Sequence, residues 1–278
     1  MKIRLCVLSC SSVLLEECFE TALEHATGPI DIFGFYNGPY GSIEGTYSRF
    51  RKNPKVGSLS VGFGSENRGV PAGLHALYED VIKDAIAQPV ASGDDILVYV
   101  HDDVHILEHG WDKRVEKAFV DHPKVGLAGF GGSTALGGNE IYRVPYEIHQ
   151  LGRRDFYSNM NGAEVHGIRT TQEMPIVSTD GMSMIVRRRL LDTIGGWSWW
   201  PFELVHHAYD YGIACMNRRH GYEARLIPCT IVHKGGLTAC GPVHQEMAKK
   251  YGGDTAVHTA AHQWVYDNFR DVYPMKVK

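Results

Sequence analysis

Short apolar runs alternate with helically spaced segments from the first residues of this chain onward, and that alternation restricts it to a sheet covered by helices. Residues 3–9 form a buried-strand run, followed by the apolar pairs Leu14-Leu15, Cys18-Phe19 and Ala22-Leu23 at the i, i+4 spacing of one helix face. Residues 30–36 form a second strand run closed by Asn37-Gly38-Pro39, and residues 56–61 a third, before a polar, Gly-rich loop at 62–69. Pro71 suits the first turn of a helix on which Leu74, Leu77, Tyr78, Val81, Ile82 and Ala85 share a face. A strand at 96–100, a helix at 111–120 and a strand at 125–130 continue the order. Strands separated by helices lie parallel, and such sheets gather ligands at the carboxyl ends of their strands.

Residues 131–174 are rich in Gly, Asn, Tyr and His and show no clean period. Order returns at 176–186, then a short helix, the aromatic cluster Trp197, Trp199, Trp200 and Phe202, a helix at 209–220, and short strands at 223–226 and 230–233. The rest is a partly helical tail. With 278 residues and 44% hydrophobic content, one large α/β domain is expected at 1–240, with residues 241–278 packing on or near its active site.

No run approaches the roughly 18 apolar residues of a membrane span, and Met1-Lys2-Ile3-Arg4 leads into a strand instead of a signal-peptide core. The six cysteines, Cys6, Cys10, Cys18, Cys215, Cys229 and Cys240, have no C-x-x-C spacing and are expected to be reduced thiols of a soluble, cytoplasmic protein. A formal net charge of −4 argues against general nucleic-acid affinity. The basic clusters at Arg49, Arg51, Lys52 and Lys55, and at Arg187, Arg188 and Arg189, are expected to be solvated faces.

His101-Asp102-Asp103 follows directly on Ile96-Leu97-Val98-Tyr99-Val100, so two carboxylates and an imidazole stand where a buried strand opens into a loop. Acidic oxygens bind hard cations such as Mg²⁺ and Mn²⁺, and Mn²⁺ tolerates imidazole better. A solvated loop or a helix cap accounts for the same residue types.

Several separate segments together resemble one family, the nucleotide-sugar glycosyltransferases of the GT-A fold, and especially the family 2-like group of inverting enzymes. They are the opening strand; Glu66-Asn67-Arg68-Gly69 before a helix; the acidic corner; Thr179-Asp180-Gly181; Gly195-Gly196-Trp197; Tyr209-Asp210 followed by Arg218, Gly221 and Tyr222; and His233-Lys234-Gly235-Gly236. The match runs from residue 3 to residue 236. It implies an α/β fold with a Rossmann-like, mostly parallel central sheet flanked by helices. It also implies transfer of a sugar from a nucleotide donor, UDP by analogy, to a hydroxyl acceptor with inversion, assisted by Mn²⁺ or Mg²⁺. The acceptor class stays open among a glycan, a small molecule and a modified nucleic-acid base. A non-catalytic sugar-nucleotide-binding module and a nucleotidyltransferase are the alternatives; the second expects a basic Gly-rich loop that Leu8-Ser9-Cys10-Ser11-Ser12 does not provide.

The family usually carries Asp-x-Asp at the metal corner, and His101-Asp102-Asp103 resembles a subgroup with His-x-Asp. By that resemblance Asp103 is a ligand, His101 binds directly or through water, Asp102 orients its neighbours, and His233 adds a metal or diphosphate contact beside Lys234. Asp210 is the expected base for the acceptor hydroxyl and Glu203 a second candidate. A helix N-terminus and solvent are expected to hold the Asp210 pKa low, leaving it a weak base valuable for its position. Asp180 and Gly181 are candidates for contact with donor sugar or acceptor, and Ser9, Ser11, Asn37 and Asn67 for the nucleotide. Ordinary turn chemistry explains the small polar residues equally well. His258 and His262 stand at i, i+4 without a nearby Glu to complete a zinc-hydrolase motif, and are expected to serve packing or the surface.

Overall fold

A computed structural model of the chain describes residues 1–38, 43–87, 93–137, 156–161, 167–204, 206–235, 246, 248–249 and 252–277. The strands that frame it are β1 (Ile3–Ser9), β2 (Ile30–Tyr36), β3 (Val56–Phe63), β4 (Ile96–His101), β5 (Val104–Ile106), β6 (Val125–Gly129), β7 (Met174–Ile176), β8 (Ser183–Arg187), β9 (Glu223–Leu226) and β10 (Ile231–His233). Around them lie α1 (Ser12–His25), α2 (Ile43–Phe50), α3 (Val70–Ala87), α4 (Trp111–Asp121), α5 (Arg188–Ile194), α6 (Tyr209–Arg219) and α7 (Asp254–Asn268). The central sheet has eight strands in the order β7-β9-β6-β8-β4-β1-β2-β3.

Both faces of this sheet are buried, which is why its strands read as continuous apolar runs. Along β1, Leu5 and Val7 join a core with Leu15 and Phe19 of α1, whereas Cys6 between them faces Leu77 and Val81 of α3 and Trp197. The strand at 56–61 continues to Phe63, pairing with Tyr36 where a loop is expected.

β1 runs parallel to β2 and β4, β2 to β3, and β9 to β6. β8 instead lies antiparallel between β4 and β6, and β7 antiparallel to β9. A parallel neighbour needs a crossover, usually a helix. Among the described residues the connection from β6 to β8 holds short strands and no helix, including Gly131–Ser133 paired with both Phe156–Ser158 and Ser178–Thr179. The chain re-enters reversed, which brings the start of β8 to the end of β4.

The amino end of β1 is anchored by Arg4. Its guanidinium is fully buried and lies 2.6 Å from Asp84 of α3, 3.2 Å from Asp95 before β4 and 3.5 Å from Asp31 of β2. Arg187 and Arg188, expected on a solvated face, are buried too. Arg187 donates to the carbonyls of Val125 and Phe119, and Arg188 Nη1 lies 3.6 Å from Asp95.

Downstream, Trp264 of α7 packs on Trp200 with ring centroids 4.8 Å apart. The tail thus closes over the aromatic cluster. Among the described residues no helix is long and apolar enough to cross a membrane. Cys6, Cys10, Cys18, Cys215 and Cys229 are free thiols, while Cys240 lies outside the described residues.

Candidate metal centre and acceptor wall

Strand β4 ends at His101, and the turn of Asp102 and Asp103 passes directly into β5. Both carboxylates are buried. Asp102 faces β1, accepting a 2.5 Å hydrogen bond from the Ser9 hydroxyl. Asp103 faces β10: antiparallel pairing of β5 with β10 sets His233 opposite Val104, and His233 Nε2 lies 3.3 Å from Asp103 Oδ1. A register shift of one residue would turn His233 to the other face.

His101, Asp103 and His233 form one cluster whose donor atoms all lie within 4.8 Å of one another. Asp103 Oδ1 is buried without a hydrogen-bond donor in bonding geometry, which is costly for an ionised oxygen unless a cation is at hand. Burial opposes ionisation of Asp103, but the combined pull of His233 and His101 holds its carboxyl below the usual range. Burial also pushes the His101 imidazole down, toward the neutral form that binds metal. Two imidazoles and a carboxylate fit Mn²⁺ well and Mg²⁺ less well.

The opposite wall comes from β8 and α6. Because β8 is antiparallel to β4, the His101 amide donates to the Met182 carbonyl, and Asp180-Gly181 sits beside the metal corner. Asp180 closes its own turn, Oδ1 accepting from the Met182 amide at 2.9 Å. Tyr209, in the first turn of α6, brings its hydroxyl to 2.9 Å from His101 Nε2 and 3.4 Å from the Gly181 carbonyl. Gly181 permits this close approach: a Cβ would stand 2.5 Å from the Tyr209 oxygen and push the ring aside. Tyr209 belongs to the Tyr209-Asp210 segment singled out in the sequence, but no site role is expected of it there; its contact with His101 is set by the fold.

Asp210 follows, its Oδ1 accepting from the Tyr211 amide at 3.0 Å. Its carboxyl is not the low-pKa group the helix start predicts. Close packing of protein around it, and then the charge of Asp180, push it up to about 7, outweighing the backbone hydrogen bonds that favour ionisation.

Other sequence candidates lie farther from this chemistry. Ser9 also contacts the Ser11 backbone, with its oxygen 2.7 Å from the Ser11 carbonyl and 2.9 Å from the Ser11 amide. Asn37 and Asn67 brace one loop: Asn37 donates to the Gly69 carbonyl and accepts from the Arg68 amide, and Asn67 accepts from the Gly69 amide. Lys234 points to Glu17 of α1 at 2.7 Å, while its amide donates to the Asp103 carbonyl. Glu203 is exposed on the short 3₁₀ turn Phe202–Leu204.

No family model matches the chain, and no curated protein matches it by sequence. Solved structures do match. A mannosyltransferase from Pyrobaculum calidifontis, solved with GDP-Man and Mn²⁺, is 16% identical with a TM-score of 0.52; the match covers 97% of this chain and 73% of that one. TarS of S. aureus, residues 1–349, is 13% identical with a TM-score of 0.54, covering 98% and 72%. GalNAc-T7, solved with UDP, GalNAc and Mn²⁺, is 9% identical with a TM-score of 0.54, covering 98% and 57%. At these identities the likeness is one of architecture, and the architecture is the GT-A fold.

Proposed function

We propose that the chain is an inverting glycosyltransferase that moves a sugar from a nucleotide donor, UDP-linked by preference, to a hydroxyl acceptor with the aid of Mn²⁺ or Mg²⁺. One observation carries this reading: a carboxylate and two imidazoles converge at the sheet's carboxyl edge, facing a second carboxyl whose pKa is near 7. The matched mannosyltransferase and GalNAc-T7 structures, solved with Mn²⁺ and nucleotide ligands, support it.

In this reading Asp103, His101 and His233 hold the cation, and Asp102, tied to Ser9, stiffens the corner. When bound, the ion supplies positive charge against the diphosphate as it leaves. Asp210 accepts the proton of the attacking hydroxyl; a carboxyl that titrates near the working pH is a better base than an ordinary aspartate. Inversion follows if hydroxyl and base attack from the side opposite the leaving group. Asp180 and Gly181 contact donor sugar or acceptor, and Ser11, Asn37, Asn67 and Lys234 border the nucleotide. Glu203 is assigned the second base position, on the acceptor side. The free thiols suit a reducing cytoplasm.

The test is a thermal-shift screen of GDP-mannose, UDP-GalNAc and UDP-glucose with and without Mn²⁺, followed by assay of donor hydrolysis. A Mn²⁺-dependent rise in Tm that Asp103→Asn abolishes, together with turnover, is the expected result. Stabilisation without hydrolysis or transfer would reassign the chain as a binding module. Failure of every donor to bind would reject the reading.

A further inference from the structure

A second group of metal-ligating side chains lies outside the corner at His101. His206 and His207 occupy the loop between the 3₁₀ turn and α6. Asp254, His258 and His262 recur at i, i+4 along α7 and so share one face. His206 Nε2 and His207 Nε2 lie 3.2 Å and 2.9 Å from the same Asp254 oxygen, and the donor atoms of these three residues all fall within 4.8 Å of one another. The ring of His258 is 4.8 Å from that of His207, and His258 Nε2 is 3.1 Å from His262 Nε2. His262 is buried.

We propose that His206, His207 and Asp254, with His258 as fourth donor, bind a borderline-soft divalent ion such as Zn²⁺. Metal–nitrogen bonds of about 2.0 Å in a tetrahedron set neighbouring donors roughly 3.3 Å apart, close to the two separations measured from Asp254. Three imidazoles and one carboxylate select Zn²⁺, Co²⁺ or Ni²⁺ over Mg²⁺, unlike an oxygen-rich site. His262, behind His258, orients that ring as outer partners of ligating histidines do. Asp254 is exposed, so the ion has a route in from solvent.

The placement has a consequence for the acceptor wall. Ala208 has a left-handed backbone, φ 55°, and this turn sends His206 and His207 toward α7 while Tyr209 and Asp210 face the sheet edge. An ion held here fastens the C-terminal helix to the segment that delivers Asp210. The site stands on its own residues and does not depend on the sugar-transfer reading.

Zn²⁺ titration by calorimetry, with the front corner disabled by Asp103→Asn and His233→Gln, tests the proposal. One equivalent should bind and raise Tm, and adding His207→Gln with Asp254→Asn should weaken binding by about 100-fold or more. Absence of Zn²⁺ binding in the first variant, or binding unchanged in the second, would overturn it. Anomalous scattering at the zinc edge from soaked crystals of the unsubstituted protein provides a readout independent of how the variants fold. A peak between His206, His207 and Asp254 supports the site, and its absence there refutes it.

Discussion

Replacing Asp210 by Asn should stabilise the protein at alkaline pH while abolishing transfer. The folded chain keeps the Asp210 proton up to about pH 7, whereas an ordinary aspartate releases it near 3.8. Between those values the folded state binds more protons than the unfolded one, so Asp210 makes stability fall as pH rises, and its penalty is complete above pH 7. The gap corresponds to at most about 4 kcal/mol. Partial solvent access at Asp210 screens the repulsion from Asp180, which leaves roughly 1–2 kcal/mol. Asparagine preserves the oxygen that accepts from the Tyr211 amide, so the helix start is kept. Differential scanning fluorimetry in metal-free buffer should show the Asn variant melting about 2–6 °C higher at pH 8.5, with the advantage shrinking toward zero near pH 4. Parallel Tm curves for the two proteins across that range would refute the argument that folding raises the Asp210 pKa. Wild-type turnover should in turn rise with pH through about 7.

Other outcomes follow from the same geometry. Asp103→Asn should remove Mn²⁺-dependent donor binding in the thermal-shift assay and leave α/β circular dichroism unchanged. Gly181→Ala would force the Tyr209 hydroxyl away from a Cβ only 2.5 Å off; a fall in kcat of about tenfold or more, with overpacking costing about 1–3 kcal/mol in urea melts, is expected. Arg4→Met removes the buried cation shared by Asp31, Asp84 and Asp95 at the amino end of β1, leaving Asp31 to Lys2 and Asp95 to Arg188, and should cost about 3 kcal/mol by denaturant titration.

The parts of the fold that sequence reading recovered are those whose period is enforced by a core. Helix α3 carries Leu74, Leu77, Val81 and Ala85 on one buried face, and β4 is buried from Ile96 to Val100, so pattern and packing agree. Helix α2 escaped because it has only eight residues and its stripe of Ile43, Tyr47 and Phe50, which packs on the core, is interrupted by polar positions and only partly buried. The reversed β8 escaped because strand direction depends on the connection, and residues 131–174 have no period from which to infer one. At the site, the strand-end position of His101 and Asp103 marks a metal corner in the sequence itself, family resemblance adds His233, and the β5–β10 pairing explains how a residue 130 positions after Asp103 reaches the corner. The Asp210 pKa could not be foreseen, since it arises first from burial and then from the charge of Asp180 on another element, both set by tertiary packing. His258 and His262 looked inert for a similar reason: His206 and His207 reach their face of the helix, beside Asp254, only through the docking of α7.

Strand β1 begins in the Arg4 ion cluster and ends at Ser9, which ties down the metal corner; at about 3.3 Å per residue the two ends stand roughly 20 Å apart. Injuries to opposite poles of one rigid rod at that distance share no partners, so their costs should simply sum. Substitutions at the 101–103 corner should accordingly lower stability by the same increment whether the Arg4 cluster at the opposite pole is intact or broken.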